Sequence, residues 1–219
     1  DNPCADLYKN ANKFNSEIIM AVSCDPLADG SPKHGNANIL SMCTVPWDAA
    51  ALDPNGNPTV FYPQNGGWQA FYNVAKKFYD SFETGDRRRD LIVTEWWNKS
   101  GEKVTANDLG TRWDGFICNK FPIETSGSFQ GTDIPIARWA DALLMYAELS
   151  VRKTNSAPSA TAIDAVNQVR RRANLGELDA AATSSADNFL TAILAERGHE
   201  LYYEGCRKID LIRFTRYAR

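Results

Sequence analysis

Histidine is scarce in this chain: 219 residues contain two, His34 and His199. A catalytic triad or a histidine-rich metal site is therefore poorly supplied. The five cysteines, Cys4, Cys24, Cys43, Cys118 and Cys206, are odd in number and irregular in spacing. They form no metal-ligand pattern and no disulfide framework; a Cys24–Cys43 bridge and buried thiols both remain open. No apolar run approaches the ~20 residues that a membrane-spanning helix needs. Charge of one sign is also lacking. The balance of 24 basic against 27 acidic residues, net -3, argues against nucleic acid as a partner, because such surfaces are basic. There is no initiator methionine, no basic-then-apolar leader, and no lipid-attachment box, since Asp1-Asn2-Pro3 before Cys4 lacks the small and apolar residues a box requires.

What is present is ordinary in bulk, 43% hydrophobic and 23% charged, as in soluble globular proteins. The length suffices for one sizeable core or two small ones. Residues 17–22 form a short apolar, β-branched run that predicts a buried strand or extended segment. Residues 24–67 are punctuated by proline and glycine, with a strong turn signal at Asp53-Pro54-Asn55-Gly56-Asn57-Pro58. The aromatic content of that stretch argues against disorder. Residues 68–82 read as helical, with Phe71, Val74, Phe78 and Phe82 at spacings of three and four. Residues 90–121 read as β-rich, with a turn at Asn98-Lys99-Ser100-Gly101, and Trp96, Trp97 and Trp113 close enough to line one hairpin. From Asp133 the chain turns helical, Pro135 suiting a first turn. Ile136, Ala140, Leu143, Leu144, Ala147 and Val151 make one stripe, and Ala162, Ile163, Val166, Val169 and Ala173 the next.

The chain is organised around residues 196–213, Glu-Arg-Gly-His-Glu-Leu-Tyr-Tyr-Glu-Gly-Cys-Arg-Lys-Ile-Asp-Leu-Ile-Arg. Leu190, Ile193, Leu194, Arg197 and Leu201 share a helix face. Ser184 with Asp187 is a capping-box start, and Gly205 suits the stop. A second short helix follows from Arg207 with Ile209 and Ile212 inward. Glu196, Glu200 and Glu204 lie at i, i+4 spacing beside basic residues, so they read as ion pairs fixing helix geometry rather than as a catalytic set. Local partners are expected: Glu204 with Arg207 or Lys208, Arg197 with Glu200. The triplets Arg87-Arg88-Arg89 and Arg170-Arg171-Arg172 read as solvated faces.

These motifs resemble the SusD/RagB family of outer-membrane glycan-binding lipoproteins. The resemblance rests on Glu196-Arg197, Glu200-Leu201, Glu204-Gly205, Arg207 and Asp210-Leu211-Ile212-Arg213. It extends to Gly85-Asp86 with Arg88, to Arg138 through Glu148, and to Ile163, Asn167, Val169, Arg170, Arg172 and Ala173. The implied fold is mainly α: a SusD-like helical scaffold with tetratricopeptide-like helix pairs, plus an irregular loop-rich region with short strands. Residues 1–132 would form the irregular, aromatic-rich ligand-binding region and residues 133–219 the helical scaffold. The resemblance implies non-catalytic capture of an oligosaccharide or polysaccharide at the outer-membrane surface. It also implies delivery to a TonB-dependent transporter, and membrane attachment only through an N-terminal lipid anchor that this chain lacks. Since family members begin with a lipidated cysteine and continue past the last motif, an interior portion of a longer protein is expected.

A sugar ring has an apolar C–H face and an edge of hydroxyls. Aromatic side chains cover the face, and Asn, Gln, Asp and Arg bond the edge. Trp47 beside Asp48, Tyr62 beside Gln64 and Asn65, and Trp68 beside Gln69 offer both. Trp47, Tyr62, Trp68 and, less directly, Trp96 are the candidate ligand-binding residues. No catalytic residue, cofactor or metal is assigned; loop Asp and Asn residues admit calcium without a coordination pattern. Two other functions stay in play. One is a helical-repeat protein–protein interaction module, and the other, weaker, a glycoside hydrolase.

Overall fold

Alanine-rich apolar stripes build one half of this molecule, and proline, glycine and aromatic residues the other. The computed structural model describes residues 2–25, 37–68, 72–105, 115–127 and 129–215. In chain order the elements are α1 (Pro3–Asp6), β1 (Ile18–Val22), α2 (Leu40–Thr44), β2 (Asn73–Val74), α3 (Lys76–Tyr79), β3 (Ile92–Val93), β4 (Glu95–Trp97), β5 (Lys103–Thr105), β6 (Phe116–Cys118), β7 (Ile134–Arg138), α4 (Trp139–Thr154), α5 (Ala160–Arg172), α6 (Ala186–Glu200) and α7 (Arg207–Arg213). They fall into two compact units. The first comprises Asp1–Lys13, Val22–Phe82 and Arg89–Ile134, the second Phe14–Ala21, Glu83–Arg88 and Pro135–Arg219.

In the second unit the helical stripes become a core. Ala140, Leu144, Ala147 and Val151 of α4 meet Ala162, Ala165, Val166 and Val169 of α5, and Phe189, Ile193 and Leu194 of α6 close it. Alanine at the contact positions lets helix axes approach closely. Ser159 caps α5 by accepting from the Ala162 amide at 3.2 Å. Asn155 and Asn174 leave α4 and α5 through positive φ angles of 49° and 66°, a conformation that Asn tolerates better than most residues. The start of α4 has no cap of its own. Glu17 supplies one, its carboxylate accepting from the Ala140 amide at 3.1 Å, where negative charge also meets the helix dipole favourably.

Several elements differ from what the sequence pattern predicts. The cap of α6 is Ser185, accepting from Asn188, one residue beyond Ser184. Pro135 lies in β7 rather than in a helix, and β7 forms a two-stranded sheet with β1. Such an edge tolerates the missing amide. β1 is not buried: Ile19, Met20 and Val22 are about half exposed, as are Ile209 and Ile212 on α7. α7 buries Asp210 instead. The reason is that the inward side of α7 carries the ion pairs described below.

The first unit has a smaller core of Val45, Ala49, Phe61, Val93, Trp96 and Ile117. β2, β6 and β3 make an antiparallel sheet in that order. β4 and β5 form a hairpin through the expected turn, with Gly101 at φ 79°. Residues 68–82 are not one helix. Phe71 lies outside the described residues, Asn73–Val74 pair with β6, and only α3 is helical. Pairing of β2 with β6 overrides the helical period there. Trp113 is also outside the described residues.

Between these pieces, buried polar side chains hold irregular backbone. Asn38 and Gln130 exchange amide–carbonyl bonds at 2.9 Å. Gln130 Oε1 accepts from the Glu124 and Thr125 amides, and its Nε2 donates to the Gly127 carbonyl at 2.7 Å. Ser41 donates to Gln64, which donates to the Gly66 carbonyl at 3.0 Å. A long loop keeps its buried backbone groups bonded in this way instead of through a ladder.

Candidate functional site

The proline-rich turn shapes one wall. Asp53 accepts from the Asn55 and Asn57 amides at 2.8 Å, and from the Asn57 side chain at 3.1 Å. These bonds hold its carboxyl below the usual carboxylate range, the Asn57 side chain contributing most. Thr59 closes the loop, its amide donating to the Ala51 carbonyl and its hydroxyl to the Ala50 carbonyl. The chain then passes the cis Tyr62–Pro63 bond and turns at Gly66, φ 89°. Gly67 and Trp68 run back along residues 42–46, donating to the Pro46 and Met42 carbonyls at 2.9 and 2.7 Å. A Cβ on Gly67 would sit 2.1 Å from the Val45 carbonyl oxygen, so only glycine fits this approach.

The result is a cleft of about 520 Å³ lined by Ala50, Ala51, Leu52, Tyr62, Pro63, Asn65 and Lys99. Lys99 comes from the β4–β5 turn. Its backbone amide donates to the Asp48 carbonyl and its ammonium to the Trp47 carbonyl, both at 2.7 Å. Trp47 is thereby tied to the cleft wall. Asn65 accepts from the Ala51 amide through Oδ1 at 3.2 Å.

Of the four aromatic candidates, Tyr62 lines the cleft and is 51% exposed; Trp47 and Trp68 are 66% and 56% exposed on the same loop system. Trp96 is different. At 3% exposed it packs in the core with Phe61 and Ile117, and no ring face is left for a ligand. Its turn neighbour Lys99 lines the cleft, and Trp96 does not. The signal was present, a lysine at the tip of a predicted turn, but nothing in the sequence joins that turn to residues 47–65. Of the expected edge-bonding residues, Asn65 reaches the cleft, Gln64 is buried in the scaffold, and Gln69 lies outside the described residues.

The carboxylates of residues 196–213 are engaged elsewhere, within the helical unit. Arg88 donates to Asp86 at 2.7 Å, to Glu196 at 2.5 Å and to Glu200 at 3.1 Å, all of them buried. Arg138, 1% exposed, meets Glu17, Glu200 and Glu204. Arg170 joins Glu196 to Glu83, and Arg172 meets Glu200. Arg197 bonds Asp141 and Asp210, while Arg213 and Arg152 hold Glu148. Glu204 thus pairs with Arg138, outside its own turn, and Arg197 with Asp141 and Asp210. Arg88 and Arg170 are buried, not solvated. Burial pushes the Glu196 carboxyl up against the pull of Arg88. The Arg88 guanidinium, for its part, is held charged by its carboxylate partners despite burial.

Among the described residues, no group of three or more His, Cys, Asp or Glu side chains is placed to hold a metal. No described helix is long and apolar enough to cross a membrane.

The SusD family model matches residues 17–219. Among solved structures, the chain is similar to a laminarin-binding SusD-like protein, at 25% identity and a TM-score of 0.71, covering 97% of this chain and 45% of that one. It is similar to surface glycan-binding protein A from Bacteroides thetaiotaomicron in complex with laminarihexaose, at 24% identity and a TM-score of 0.66, covering 97% and 45%. It also resembles surface glycan-binding protein A from Bacteroides fluxus, at 24% identity and a TM-score of 0.68, covering 99% and 44%. The chain thus spans less than half the length of these structures. No curated protein matches it.

Proposed function

This chain belongs to the SusD family, and from that premise we propose that it captures an oligosaccharide without cleaving it. The protein would act at the outer-membrane surface as part of a lipid-anchored lipoprotein and pass its ligand to a TonB-dependent transporter. The observation that carries the reading is the cleft beside Tyr62, with Trp47 tied to its wall through Lys99. An exposed ring offers a platform for the apolar face of a sugar, and Asn65 and Lys99 offer donors for its edge. Two further facts support binding over hydrolysis. Glycoside hydrolysis needs two carboxyl groups flanking the scissile bond, and none of the described residues lining the cleft is acidic. Glu196, Glu200 and Glu204 are held in ion pairs.

Calorimetric titration of the chain with plant, host and microbial oligosaccharides tests this, with products followed by chromatography. Saturable binding of at least one oligosaccharide, recovered intact, is the expected result. New reducing ends would replace the reading with a hydrolase.

A second reading, a protein-interaction module, has its own observation. Trp139, Met145, Tyr146 and Leu149 of α4 are 42–65% exposed and share the helix side away from the core. In a folded chain that binds no sugar, this face becomes the functional surface.

A further inference from the structure

Resting on the glycan reading, we propose that the cleft lined by Tyr62, Asn65 and Lys99 takes an acidic sugar, one whose ring carries a carboxylate or a sulfate ester. A fixed positive charge and unused donors stand at its edge. Several acceptors beside the cleft already take a bond from within the protein. The Ala50 and Ala51 carbonyls accept from Thr59, the Trp47 carbonyl accepts from Lys99, and Asn65 Oδ1 accepts from Ala51. The donors are not used up. Among the described residues, the Lys99 ammonium meets the Trp47 carbonyl and no carboxylate, so two of its three N–H groups stay available. The Asn65 Nδ2 amide likewise has no internal partner.

Lys99 is also placed rather than merely exposed. Its backbone amide is fixed on Asp48 and its ammonium on Trp47. The ammonium lies where a Cβ on Gly66 would come within 2.6 Å of Nζ, at a residue whose φ of 89° favours glycine. An oxyanion only accepts, and it meets a positive charge in a cleft whose described lining residues include no acid. Bonds of this charge-assisted kind are shorter and stronger than neutral ones.

The test is calorimetry of the intact chain with three probes of matched length: a galacturonic acid oligosaccharide, a sulfated oligosaccharide and neutral laminarihexaose. Wild type, Lys99→Met and Lys99→Arg are compared at low and at about 0.5 M salt. The proposal expects an acidic probe to bind at least ~10-fold more tightly than the neutral one. Lys99→Met should weaken the acidic probe at least ~10-fold more than the neutral one, and Lys99→Arg and low salt should each retain the preference. Which acidic probe binds separates carboxylate from sulfate. Neutral binding equal to acidic, or equal loss of both in Lys99→Met, overturns this inference and leaves glycan capture standing. No binding by any probe in a folded chain overturns both.

Discussion

Replacing Arg138 by alanine is expected to lower the unfolding free energy by about 3–5 kcal/mol, the usual cost of removing one partner from a buried ion pair. The side chain is 1% exposed. It donates to Glu204 Oε2 at 2.7 Å, Glu17 Oε1 at 2.9 Å, Glu200 Oε1 at 2.5 Å and the Glu200 carbonyl at 2.8 Å. Alanine would leave three carboxylates facing each other with one fewer guanidinium. The loss is large against the roughly 5–15 kcal/mol of a typical domain. Arg138→Lys should recover only part of it, because one ammonium cannot reproduce a planar fork directed at several carboxylates. Urea unfolding of the three proteins checks this. A shift under about 1 kcal/mol for the alanine variant would show the cluster to be solvated and incidental.

The second large effect is pH-dependent. His199 is pushed down to about 4, first by burial and then by the charge of Arg88. In the unfolded chain the imidazole takes a proton near pH 6.5, and in the folded chain only near 4. Between those values the unfolded state binds more protons, so stability rises with pH across that window. It is complete above about pH 7 and lost progressively on acidification, up to about 3 kcal/mol at 1.36 kcal/mol per pH unit. His199→Gln should remove this component. Urea unfolding at about pH 7 and pH 4.5 would then show a smaller acid-induced loss in the variant. Glu196 is present in both proteins, so its protonation does not account for a difference between them. Equal losses would place His199 in solvent.

What could be read in the sequence divides by range. The stripes of α4 and α5 were legible because each repeats every three or four residues, and Leu144, Val151, Val166 and Val169 are buried as that period requires. The paired state of Glu196, Glu200 and Glu204 was legible from charge balance. Their partners were not. Spacing suggested Arg207 or Lys208, whereas Arg88 and Arg138 come from 108 and 62 residues away. Long-range geometry of that sort leaves no local signature. α6 shows why: its inward side is apolar at Phe189 and Ile193 and charged at Glu196 and Glu200. Period alone assigns the charged half to solvent.

The candidate site was legible as composition and not as arrangement. Four aromatics met the chemical requirement. Trp47, Tyr62 and Trp68 stand outward because tight turns and a backbone ladder with residues 42–46 occupy the inner side of their loop. Trp96 sits mid-hairpin, opposite Val104, and alternation turned it into the core. That choice depends on which face of the hairpin meets Ile117, and strand register alone does not say.

The most direct test of the central claim, that aromatic side chains of the irregular loop hold a glycan, is calorimetry of Tyr62→Ala and Trp47→Ala. Both would be titrated with the oligosaccharide that binds wild type, with Leu149→Ala on the outer side of α4 as a control. Truncating a ring that stacks on sugar is expected to weaken binding about 10-fold or more, with Leu149→Ala near wild type. Full affinity in both loop variants, or loss in the α4 variant alone, would move the site out of this cleft.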